Sequence, residues 1–73
     1  MSDFSFEIVK KFGVLSRKQN GWTKEVNLVS YGERPPKLDI REWDPDHEKM
    51  SKGLTFTEEE AKLLKEILQD IFK

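Results

Sequence analysis

The chain has 73 residues, no cysteine, three prolines and four glycines, enough for one small domain spanning residues 1–73. A domain of this size buries only about 60% of the surface its unfolded chain exposes. With no cysteine, neither disulfides nor thiolate metal sites can reinforce it, which leaves good packing or oligomerisation. Charged residues make up 37% and hydrophobic residues 36% of the chain, yet eight aromatics in regular apolar patterns argue against disorder.

From Phe4 to Ser16 apolar side chains fall on even positions (Phe4, Phe6, Ile8, Phe12, Val14), the period of a strand. Lys10 interrupts that side and Gly13 weakens the middle, which suggests a bend or bulge. Asn20-Gly21 marks a turn. Trp22 to Gly32 reads as a second strand, with Val26 and Leu28 on one face and Glu25, Asn27, Val29 and Tyr31 on the other. The Pro35-Pro36 pair cannot continue a central strand, because proline has no amide hydrogen. Lys37 to Trp43 alternates cleanly as a third strand: Leu38 and Ile40 face one way, Lys37, Asp39, Arg41 and Trp43 the other. A polar loop, residues 44–51, leads to a short strand over Lys52–Phe56. Thr57 then opens the only helix. Thr57 with Glu60 forms a capping box, Phe56 can staple onto Ala61, and three glutamates occupy the first turn. Ala61, Leu64, Ile67, Leu68 and Ile71 make an apolar stripe that Leu63 and Phe72 widen.

The expected fold is therefore α+β: an antiparallel four-stranded sheet followed by one C-terminal helix, ββββα. One helix covers about a third to half of one face of such a sheet, by strand spacing and helix width. The remaining apolar surface needs a partner, and a second copy of the chain on a two-fold axis is the expected one.

The net charge of −1 hides an uneven distribution. Lys10 to Arg41 carries eight basic residues against three acids, +5, whereas Thr57 to Lys73 carries three lysines against five acids, −2. Binding responds to the local field rather than the whole-chain charge. Tyr31 and Trp43 share parity with Lys37 and Arg41 on the face without a helix. Bases of a single strand stack on such rings while lysine and arginine follow the phosphates. Ordinary cross-strand packing explains the two aromatics equally well. Asp39 lies between Lys37 and Arg41 and is placed to orient Arg41, or to form a surface ion pair of small worth. Lys24 has the opposite parity and ranks below Lys37 and Arg41.

Catalytic signals are absent. His47 stands among Asp44, Asp46 and Glu48, but the spacing matches neither a zinc site nor a calcium loop. There is no second histidine or nucleophile-elbow serine for a triad, and the four glycines are scattered. Neither an enzyme nor a cofactor is expected.

Leu38-Asp39-Ile40-Arg41-Glu42-Trp43, Lys52-Gly53-Leu54-Thr55-Phe56 and the Thr57-Glu58-Glu59-Glu60 helix start together resemble the transcriptional coactivator positive cofactor four family, particularly its short bacterial members. The resemblance implies a curved sheet, a homodimer, and sequence-tolerant binding of single-stranded DNA in transcription regulation, replication or repair. It also implies DNA contacts at Tyr31, Arg41, Trp43 and Lys52. The stretch after Glu42 is one residue shorter than in the family, so Trp43 corresponds either to the family's stacking aromatic or to that ring's neighbour.

The expected nucleic-acid site thus comprises Tyr31, Lys37, Arg41, Trp43 and Lys52, with Lys10, Lys11, Lys18 and Lys24 as further phosphate contacts. RNA stays open as a ligand, because no residue can be assigned to a 2′-hydroxyl. Transcription or replication proteins are further partners to consider. The alternative is a protein-interaction module or transcription-complex subunit that binds no nucleic acid. No apolar run is long enough to span a membrane, and Ser2, Asp3 and Glu7 leave no signal-peptide start. A cytoplasmic protein is expected, nucleoid-associated in a bacterium.

Overall fold

The computed structural model describes residues 5–73. Four strands, β1 (Phe6–Arg17), β2 (Thr23–Tyr31), β3 (Lys37–Trp43) and β4 (Leu54–Phe56), precede one helix, α1 (Glu58–Ile71). The strands form an open antiparallel sheet in the order β1-β2-β3-β4. Phe4, the expected first residue of β1, lies outside the described residues.

Strands β2 and β3 alternate as their sequence requires. Val26 pairs with Ile40 and Leu28 with Leu38, so these four share the face beneath the helix. On the other face stand Thr23, Glu25, Asn27 and Val29, opposite Trp43, Arg41, Asp39 and Lys37. Strand β1 departs from the expected alternation. Its register slips between Ile8 and Lys10, between Lys11 and Gly13, and between Val14 and Ser16. Each slip sets two residues of β1 against one of β2, which changes the strand's period from two to three. Phe6 and Ile8 therefore stand with Tyr31 and Val29, and Val14 stands with Glu25. Phe12 moves to the opposite side, where it lines a groove with Leu28, Leu38 and Phe56. The expectation that Phe6, Ile8, Phe12 and Val14 share one side is thus corrected.

The helix start is held by its sequence. The Glu60 amide donates to Thr57 Oγ1 at 3.1 Å, and the Thr57 amide donates to Glu60 Oε1 at 2.9 Å. Each bond satisfies an amide that the first turn leaves unpaired. Phe56 and Ala61 line one groove, as a staple would have them. The helix rests on β3 and β4 and buries none of its residues fully. Leu63, Ile67, Leu68, Ile71 and Phe72 stay exposed on it, as do Val9, Phe12, Leu15 and Leu54 on the sheet. Between helix and sheet lies an apolar groove of about 430 Å³ lined by Leu15, Val26, Ile40, Leu64 and Leu68.

Candidate nucleic-acid interface

The sheet face away from the helix carries the polar side chains that are buried among the described residues. Thr23, Glu25, Asn27 and Asp39 are buried beside Val29 and Trp43. Such groups tolerate burial only when paired. Thr23 Oγ1 and Asn27 Nδ2 both donate to the Glu25 carboxylate, the latter at 3.2 Å. Burial pushes the Glu25 carboxyl up, but the bonds from Thr23, Asn27 and His47 outweigh it and hold the group below its ordinary value. Among the described residues, the buried Asn27 Oδ1 and Trp43 Nε1 have no hydrogen-bond partner.

Asp39 and Arg41 form the second part of this network. Arg41 Nε donates to Asp39 Oδ1 at 2.8 Å, and its terminal Nη2 lies 2.8 Å from Oδ2. This is the two-pronged geometry that makes arginine–carboxylate pairs strong. Tyr31 donates its hydroxyl to Asp39 Oδ2 at 2.9 Å. Burial and that bond to a carboxylate raise the phenol's pKa above its ordinary value. The Arg41 guanidinium sits 4.9 Å from the centre of the Tyr31 ring, within cation–π range. Of the two readings of Asp39, the buried orienting pair is the one found.

Loop 44–51 closes over this face. Its turn is fixed by Asp44, whose carboxylate accepts the amides of Glu48 at 2.8 Å and Lys49 at 3.0 Å. The backbone bond from Lys49, ahead of the one from Glu48, keeps that carboxyl below its usual value. His47 adopts φ 58°, a left-handed backbone for a residue other than glycine. Its ring stacks on Trp43 with centroids 5.8 Å apart and planes at 26°, and its Nε2 lies 2.8 Å from Glu25 Oε2. Phe6 meets Trp43 at 5.0 Å between centroids.

The expected site residues are therefore only partly brought together. Trp43 lies on the expected face but is 0% exposed, because Phe6 and loop 44–51 cover it. The uncovered ring expected there is thus replaced by a buried one. Tyr31 is half-buried and lines a pocket of about 70 Å³ with Arg34 and Lys37. Arg41 has only 14% of its side chain exposed and is committed to Asp39. Lys11, opposite Asn27, shares this face, and Lys37, opposite Val29, does too. Lys10 falls opposite Leu28, on the helix side, with its ammonium 5.7 Å from the Phe12 ring. Lys18 belongs to the β1–β2 turn and pairs with Glu42 at 2.9 Å. Lys24 and Lys52 line a separate groove of about 480 Å³ with Ser51 and Gly53.

Gly53 explains its place beside Lys52. A methyl group there would collide with Arg41 Cβ and lie 2.5 Å from the Ile40 carbonyl oxygen. Only a glycine lets the chain run this close to β3 and carry Lys52 to the groove. Arg17 was not among the expected contacts. It stands opposite Thr23 on the polar face, where the period-three spacing Lys11, Val14, Arg17 brings it. Lys11, Arg17 and Lys37 are exposed and make no ion pair among the described residues.

The comparison with protein families matches residues 18–67 to the Transcriptional Coactivator p15 (PC4) model. The match runs from the β1–β2 turn into α1 and includes Tyr31, Lys37, Asp39, Arg41 and Lys52. An uncharacterized protein of Treponema pallidum (strain Nichols) is 42% identical over 69 residues, covering 94% of this chain and 81% of the relative.

Proposed function

We propose, because the chain belongs to the Transcriptional Coactivator p15 (PC4) family, that it is a homodimer that binds single-stranded DNA without strong sequence preference. The polar sheet face is the binding surface and catalyses nothing. The observation that carries this reading is the grouping of Lys11, Arg17 and Lys37 on one face, exposed and free of ion pairs among the described residues. The acids on that face, Glu25 and Asp39, are buried and held by His47 and Arg41. Its outward field is therefore positive although the chain's net charge is −1. Tyr31, Arg34 and Lys37 line one small pocket where an aromatic edge and two cations meet the strand. Lys24 and Lys52 add two cations in a separate groove beside β4, which Glu42 also lines. The functions this supports are transcription regulation, replication or repair.

The dimer has its own support. Besides Val14 on the polar face, nine large apolar side chains are exposed, five on or beside α1 and four of the sheet, more than an isolated domain ordinarily leaves to water. A second copy packed by a two-fold axis covers them on both chains at once.

The test is a tryptophan-fluorescence titration with a thymine oligonucleotide of roughly twenty bases, beside the matching duplex, at two salt concentrations. Salt-sensitive binding of the single strand in preference to the duplex is expected. Indifference to both ligands would leave the protein-interaction module as the working reading.

A further inference from the structure

We propose that His47 is the ring on which an unpaired base stacks at this face, with Trp43 as its buried floor. The inference rests on the single-stranded DNA reading above and adds to it a residue from outside the strands. Stacking needs an aromatic with one open face, held so that little freedom is lost when the base arrives. Trp43 fails the first condition, being 0% exposed. His47 meets both. One face of its ring lies on Trp43, while 29% of its side chain remains exposed.

Three independent restraints hold the ring. The buried Glu25 carboxylate fixes Nε2 at 2.8 Å, and Trp43, itself backed by Phe6, fixes the plane. The loop backbone is the third: the His47 amide donates to the Asp44 carbonyl at 3.0 Å, and the residue sits in the left-handed region at φ 58°. A residue other than glycine held in that region costs conformational energy, and surrounding structure must maintain it. Here it turns the ring inward onto Trp43 and Glu25.

The position suits a nucleic-acid strand. Glu25 pairs with Val14 of β1, and along the same face Arg17 and Lys11 stand one step to either side, opposite Thr23 and Asn27. A base on His47 therefore has exposed cations on both sides for its flanking phosphates. The Glu25 carboxylate is buried and bonded to Thr23, Asn27 and His47, so the exposed charges beside the ring are the two cations.

Two measurements test this on the full chain. His47→Asn removes the ring but keeps a residue that tolerates the left-handed backbone and an amide that can donate to Glu25. We expect its affinity for the thymine oligonucleotide to fall about tenfold, with the salt slope unchanged. His47 is the chain's single histidine, so its imidazole C–H resonances are unambiguous in the unsubstituted protein. A short adenine oligonucleotide should move them upfield by ring current, a readout that does not depend on the variant folding. If the unsubstituted protein binds while these resonances stay put, or while His47→Asn binds as tightly, the proposal is overturned. A weaker variant with a flattened salt slope would also overturn it, because His47 would then act as a phosphate charge. If the unsubstituted protein binds no oligonucleotide, the reading of the whole face fails and this proposal with it.

Discussion

The two faces of the sheet invert the usual arrangement. On one face the polar side chains of Thr23, Glu25, Asn27 and Asp39 are buried beside the exposed Lys11, Arg17 and Lys37, whereas on the other the apolar Phe12, Leu15 and Leu54 are exposed. On the first, a loop and a hydrogen-bond network seal polar groups from water. On the second, one helix covers β3 and β4 and leaves β1 and β2 uncovered. One surface is thus closed within the chain, whereas the other leaves apolar side chains open, as the proposed dimer requires. A finished polar surface is rigid, as binding an anionic strand requires. An unfinished apolar surface is what a two-fold partner completes.

Breaking the finished face should have the largest effect. Asp39→Ala leaves the Arg41 guanidinium without its carboxylate and Tyr31 without its acceptor. Removing one member of a buried pair costs roughly 3–5 kcal/mol, a large share of the 5–15 kcal/mol typical of a folded domain. Chemical denaturation should show the loss as a lower midpoint. Arg41→Ala should do nearly the same, so it reports on folding before it reports on binding.

The pH dependence should also follow this network. Bonds from Thr23, Asn27 and His47 lower the Glu25 pKa below its ordinary 4.5 despite burial. A lowered acid contributes stability that is present above its unfolded value and lost as pH falls through its folded value. Acid unfolding should therefore begin below about pH 4.5, and Glu25→Gln should shrink that limb in a pH series of melts. Tyr31 has the opposite sign. Its raised pKa contributes stability below its ordinary value of 10.0, lost as the pH rises beyond it.

On the unfinished face a smaller change is expected. Thr57→Ala removes one half of the capping box and should cost about 1 kcal/mol, read from the same denaturation curves. Sedimentation should find twice the chain mass, and Ile67→Glu, which puts a charge on the exposed stripe of α1, should shift it toward the single chain. The smallest effect is the most specific to function. Lys37→Ala should leave stability within about 0.5 kcal/mol, as surface changes usually do. It should flatten the salt slope of single-strand binding by about 0.7.

Much of this was legible in the residues, and the misses have physical causes. Strands β2 and β3 alternate without interruption, so the parity of Tyr31, Lys37, Asp39 and Arg41 could be read directly. The Thr57–Glu60 pair announced the helix start with its own chemistry. Strand β1 was misread in phase because three bulges turn a period of two into three. The Val9, Phe12, Leu15 spacing was the signal for it. The burial of Trp43 was out of reach for a different reason. It depends on loop 44–51 folding back through Asp44 and His47, contacts that join residues 22 apart in sequence and leave no periodic trace. The same long reach took His47 away from the acids beside it and set it against Glu25.

The central claim is that the polar face, rather than the helix, meets the nucleic acid. Amine-reactive footprinting of the lysines, read by mass spectrometry with and without the thymine oligonucleotide, tests it most directly. The account predicts protection of Lys11 and Lys37, with Lys62, Lys65 and Lys73 on or beside α1 modified equally in both samples. Protection of the α1 lysines, with Lys11 and Lys37 still reactive, would contradict it.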